Sequence, residues 1–95
     1  MKSLINETHI KQHCKKLLAI KHVFNYHLLQ GVGSYKGVPD RILHYKNKVV
    51  YLEIKKPGGK MSPAQLIFKA QCEEDGVTYW CVSDIVELDK LLEEL

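Results

Sequence analysis

Two runs of branched and aromatic residues, 41–45 and 49–54, flank Lys46-Asn47-Lys48, a combination that predicts a β-hairpin in the middle of the chain. Strand alternation then sorts Val50, Leu52 and Ile54 onto one face and Tyr51, Glu53 and Lys55 onto the other. The first set is a core face. The second carries an acid and a lysine, and folding the chain about Asn47 sets Asp40 across from them. Two carboxylates and an ammonium at one spot form a donor set suited to a hard cation and a phosphate.

The rest of the chain supplies layers for that hairpin. Residues 6–20 read as an amphipathic helix with Asn6 as N-cap, Ile10, Cys14, Leu17 and Leu18 as its stripe, and Lys11, Lys15 and Lys16 outside it. Residues 23–29 read as a strand. A loop with three glycines follows, running from Gln30 through Ser34, Tyr35 and Lys36 to Gly37-Val38-Pro39. After the hairpin, Pro57-Gly58-Gly59 is a break. Ser62-Pro63-Ala64-Gln65 opens a second helix, with Leu66, Ile67 and Ala70 expected on its apolar face and Gly76 at its end. Residues 77–82 are a further strand. Ser83 is the expected cap of a last helix striped by Ile85, Leu88, Leu91, Leu92 and Leu95. The order is helix, three strands, helix, strand, helix, which predicts an α/β fold: a mixed four-stranded sheet flanked by helices, its last strand parallel through a helical crossover.

With 95 residues the chain is expected to form one domain over residues 1–95. No run reaches the ~20 apolar residues that span a bilayer, and the first residues are too polar for a signal peptide, so an intracellular protein with no membrane partner is expected. Cys14, Cys72 and Cys81 are odd in number, lack zinc-like spacing and read as reduced thiols. Net charge is +3, mild in sum but uneven in distribution. Lys36, Arg41, Lys46, Lys48, Lys55, Lys56 and Lys60 surround the hairpin, whereas acids collect after Glu73. That basic region permits contact with nucleic acid.

Glu7 lies roughly 35° from the centre of the first helix's stripe at ~100° per residue. It is either a first-turn acid suited to the helix dipole or an inward carboxylate that needs a metal or a partner. Gln65 completes a capping box whatever else it does. No helix follows the glycine loop and its third glycine falls at the wrong place for a dinucleotide fingerprint; it is a flexible connection, or a loop whose amides meet a phosphate backbone together with Ser34, Tyr35 and Lys36. His9 and His13 lie on the outer helix face with no third ligand and read as solvated.

Gly37-Val38-Pro39-Asp40, then Glu53-Ile54-Lys55, then Ser62-x-x-Gln65, with Glu7 in the leading helix, resembles the virus-type replication-repair nuclease (VRR-NUC) family of the PD-(D/E)XK superfamily. The resemblance spans nearly the whole chain and implies a restriction-endonuclease-like αβββαβα core. It also implies Mg²⁺- or Mn²⁺-dependent hydrolysis of DNA. Asp40, Glu53 and the backbone carbonyl of Ile54 would hold the metal, with Glu7 a further ligand, direct or through water. Lys55 would be the catalytic lysine and Gln65 a supporting residue. Ser34, Tyr35, Lys36, Arg41, Lys56 and Lys60 are the expected DNA contacts. Branched DNA such as a Holliday junction, cut by a homodimer, is the expected substrate. A flap, nicked or duplex nuclease, a DNA-binding module without catalysis, and an interaction domain using the acidic last helix are the alternatives.

Overall fold

The computed structural model describes residues 6–31 and 33–95; residues 1–5, read above as too polar for a leader, and Val32 lie outside the described residues. Helix α1 (Glu7–Ile20) begins at Asn6, whose side-chain oxygen accepts from the His9 N–H at 2.9 Å. Ile10, Cys14 and Leu18 are buried, the expected one-sided stripe. Strand β1 (Phe24–His27) pairs antiparallel with β2 (Arg41–Tyr45), and β2 pairs antiparallel with β3 (Lys48–Ile54). The hairpin turn is tighter than the three residues expected. Tyr45 pairs with Lys48, leaving only Lys46 (φ 50°) and Asn47 (φ 64°), both left-handed, at the corner. Two such residues give the turn whose twist matches the strands it joins.

Helix α2 (Pro63–Glu74) crosses over to β4 (Thr78–Val82), which lies parallel to β3 and completes the order β1-β2-β3-β4. The sheet is mixed and four-stranded, with three helices, as expected from the sequence. Helix α3 (Ile85–Glu94) closes the chain. Its cap is Asp84, accepting from the Glu87 N–H at 2.8 Å; Ser83, the expected cap, instead donates its backbone N–H to Glu87 Oε1. Of the α3 stripe, Leu88 and Leu92 are buried and Leu91 and Leu95 pack beside them, but Ile85 is exposed.

The two sheet faces differ. Leu43, Val50, Leu52, Ile54 and Val82 meet α1 and α3 in the apolar core. On the other face α2 lays Phe68 among Tyr35, Tyr51 and Tyr79, at 6.1, 5.4 and 6.3 Å between ring centroids. That aromatic contact sets the rotation of α2 and overturns its expected apolar face. Cys72 is buried and Phe68 half-buried, while Leu66, Ile67 and Ala70 are exposed. Helix α2 covers the β3–β4 half; over β1 and β2 the face keeps Phe24 and Tyr26 exposed, with His44 of β2 against both. Among the described residues no helix is long and apolar enough to cross a membrane.

Candidate active site

Continuing the β2–β3 register one step past Arg41↔Leu52 sets Asp40 opposite Glu53. The Ile54 N–H donates to Asp40 Oδ2 at 2.7 Å, and the Leu28 N–H donates to the Asp40 carbonyl at 2.9 Å. Both the backbone and the carboxylate of Asp40 are therefore fixed by neighbouring strands. The site lies where β2 begins and β3 ends, between the two helical layers.

Glu53 is the core's one buried charged residue among those described, at 1% exposure. It sits on a central strand, with Cys81 of β4 beside it and Gln65 of α2 against it. Gln65 Nε2 donates to Glu53 Oε2 at 3.1 Å, and Lys55 Nζ stands 3.3 Å from the same oxygen. Glu53 Oε1 is buried and has no hydrogen-bond partner. A buried carboxylate oxygen left bare costs on the order of 1–3 kcal/mol or more, so something outside the protein's own donors is needed to satisfy it. Burial, and then the charge of Asp40, push the Glu53 pKa up to about 7, with Lys55 opposing.

Gln65 caps α2 and also contacts Glu53. Its Oε1 accepts from the Ser62 N–H at 2.8 Å while its N–H donates to Ser62 Oγ at 3.1 Å, the full capping box, and the amide nitrogen still reaches Glu53. Gly37 keeps that helix end close. Its φ is +83°, and a Cβ there would collide with the backbone of Ala64 and Gln65. The Gly-x-Pro-Asp run therefore packs on the start of α2, and glycine is required on both counts. The loop is also tied to itself: Gln30 Nε2 donates to the Val38 carbonyl at 2.9 Å and Ser34 Oγ to the Leu29 carbonyl.

Glu7 does not reach the other two carboxylates. Lys11 stands between, 3.3 Å from Glu7 Oε2 and 2.9 Å from Asp40 Oδ1. Burial opposes its charge, but the contacts with Asp40 and Glu7 outweigh it and raise its pKa. Lys11 was expected to be an outward lysine. The signal was present, since a lysine four residues after Glu7 shares its helix face. Among the described residues no three of His, Cys, Asp and Glu come together as a metal-holding group. The donor set that does fit a hard cation is the Asp40–Glu53 pair, two oxygen ligands of which one is bare.

Of the expected DNA contacts, Ser34, Tyr35 and Lys36 line a groove together with Gly37, Ser62 and Gln65, and Arg41 lines a cleft with Asp40. Tyr35 is 71% exposed, and Lys36, Lys56 and Lys60 are exposed. Arg41 is half-buried, its Nε donating to Asn25 Oδ1 at 2.8 Å; burial lowers its pKa while Asp40 opposes. His9 and His13 are exposed on α1. Trp80 packs against the core and Tyr79 against Phe68, so that pair serves sheet packing.

Among solved structures the chain is similar to one described as "VRR_NUC domain", with a TM-score of 0.77 and 21% identity over 92% of this chain and 94% of that one. The fold is that of a VRR_NUC domain. No family model matches the sequence, and no curated protein matches it significantly.

Glu53 makes stability depend on pH. Its folded pKa, about 7, lies above its ordinary value of 4.5, so between these values the folded state holds a proton that the unfolded chain has released. The contribution of Glu53 to stability, up to ~3 kcal/mol, is therefore full below about 4.5 and is lost as pH rises through about 7. Urea denaturation of EDTA-treated protein is expected to show that fall, and Glu53→Gln is expected to flatten it; a profile unchanged by Glu53→Gln contradicts the assignment.

Gln65→Glu keeps the acceptor for the Ser62 N–H but sets a second carboxylate against Glu53. At pH 8 it is expected to destabilise by ~1–2 kcal/mol more than Gln65→Ala, with the gap closing near pH 5. Equal urea midpoints for the two variants at both pH values would reduce Gln65 to a cap.

Proposed function

We propose that this protein is a divalent-metal-dependent DNA endonuclease that hydrolyses phosphodiester bonds and acts as a homodimer on branched DNA. The reading is carried by one observation: a buried glutamate with a bare oxygen, Glu53, lies opposite a backbone-anchored aspartate, Asp40, with a lysine 3.3 Å away. That arrangement stands on the fold of a VRR_NUC domain.

Asp40 and Glu53, with the backbone carbonyl of Ile54, would hold Mg²⁺ or Mn²⁺, and Glu7 would take part through water. When bound, such an ion polarises a phosphoryl oxygen and acidifies a water molecule at neutral pH. The chain's own residues do the rest. Gln65 fixes Glu53 Oε2 and so leaves Oε1 as the available oxygen. The Lys55 ammonium is placed to orient the attacking water and to offset charge that grows on the phosphoryl oxygens. Lys36, Lys56, Lys60 and Arg41, with Ser34 and Tyr35, would hold the phosphate backbone without reading bases.

The acidic last helix favours no rival role as an interaction surface. Two of its acids, Asp89 and Glu93, are engaged by Lys21 at the end of α1. The uncovered face with Phe24 and Tyr26 supports self-association, because exposed apolar patches mark contact surfaces and a two-fold dimer sets two sites on a symmetric substrate.

The test is cleavage of a mobile four-way junction, a flap, a nicked duplex and a plain duplex with Mg²⁺ or Mn²⁺. Paired, symmetric cuts in the junction are expected, and Asp40→Ala or Lys55→Ala is expected to reduce cutting by roughly a hundredfold or more while leaving the fold intact. Single cuts in the junction would remove the dimeric, junction-cutting part of the proposal. Failure to cut any of the four DNAs would remove the enzyme.

A further inference from the structure

We propose that Lys11 is an internal counter-ion that couples metal loading of this site to arrival of a phosphate backbone. The inference rests on the metal-site reading above and concerns a residue to which that reading gives no role. Lys11 Nζ lies 2.9 Å from Asp40 Oδ1 and 3.3 Å from Glu7 Oε2. The Ile54 N–H takes Asp40 Oδ2. In this state both oxygens of the aspartate carry a donor, one a fixed backbone amide and the other a full positive charge.

The two donors differ in mobility. The amide belongs to a central strand. The ammonium ends a flexible four-carbon stem on a side chain that is 39% exposed. A divalent cation shared by Asp40 and Glu53 Oε1 therefore competes with Lys11 and not with the amide. The ammonium has a place to go. Asp40 and Ile54 line a cleft together with Lys11, His27, Gln30 and Arg41. Arg41 is held there by Asn25, so its guanidinium is an anchored cation at the cleft wall. A backbone phosphate in the cleft would draw Lys11 away from Asp40 and leave Oδ1 to the metal. A metal ion, arriving first, would turn Lys11 towards the phosphate. Each ligand then raises the affinity for the other by the same factor.

The experiment is calorimetric titration of Ca²⁺, a hard oxygen-seeking cation, into the protein with and without a short DNA duplex. Wild type is expected to bind Ca²⁺ about tenfold more tightly when DNA is present. Lys11→Met is expected to bind Ca²⁺ about tenfold more tightly than wild type without DNA, and to gain less than about threefold from DNA. Lys11→Gln, which also lacks the charge, repeats the measurement should the methionine variant misfold. Lys15→Met, which removes an exposed charge from the same helix, is expected to match wild type within about twofold, separating contact from general charge. The proposal is overturned if the Lys11 variants bind Ca²⁺ no more tightly than wild type, or if DNA helps them as much as it helps wild type. If Asp40→Asn leaves Ca²⁺ affinity unchanged, the carboxylate metal site itself is what has failed.

Discussion

Placing the Glu53 carboxylate on a central strand is the constraint around which this fold is arranged. Moving a charged carboxylate out of water costs several kcal/mol unless donors replace the water. Glu53 receives two, Lys55 just past the end of its strand and Gln65 from the helix above, and both serve one oxygen. The other oxygen is bare, and burial, then the charge of Asp40, raise the carboxyl's pKa. The fold thus holds an acid in an unfavourable state that binding of a cation would relieve. Sites of this kind lower the stability of the empty protein and raise its affinity for the ligand.

Four parts of the chain converge to build the centre around that acid. The hairpin register sets Asp40 opposite Glu53, and the Ile54 amide anchors it. Gly37, with its positive φ and no room for a side chain, lets the glycine loop pack on the first turn of α2. That turn carries Gln65, whose amide is divided between the helix cap and the buried acid. Helix α1 contributes charge of the opposite kind: Lys11 neutralises Asp40 from the far layer. The centre is therefore assembled from both faces of the sheet, and its geometry depends on the packing of each.

Much of this was legible in the residues because it rests on local rules. The period-two pattern of residues 49–54 placed Val50, Leu52 and Ile54 in the core, and Ser62-Pro63-Ala64-Gln65 announced its own helix start. What was not legible came from tertiary contact. Leu66 and Ile67 satisfy helical periodicity, yet Phe68 wins the inward position because three tyrosines gather there. Ser83 and Asp84 are both good caps, and only the backbone decides between them. Lys11 looked like a solvated charge because periodicity reports distance from the apolar stripe, not what waits at the end of a neighbouring strand. Its pairing with Glu7 was the one local clue.

Crystals soaked in Mn²⁺ and examined by anomalous scattering test the metal centre most directly. A peak bonded to Glu53 Oε1 and to an oxygen of Asp40, and lost in Asp40→Asn crystals, is the predicted result. Saturating Mn²⁺ that binds only elsewhere, with Glu53 Oε1 still bare, would contradict it.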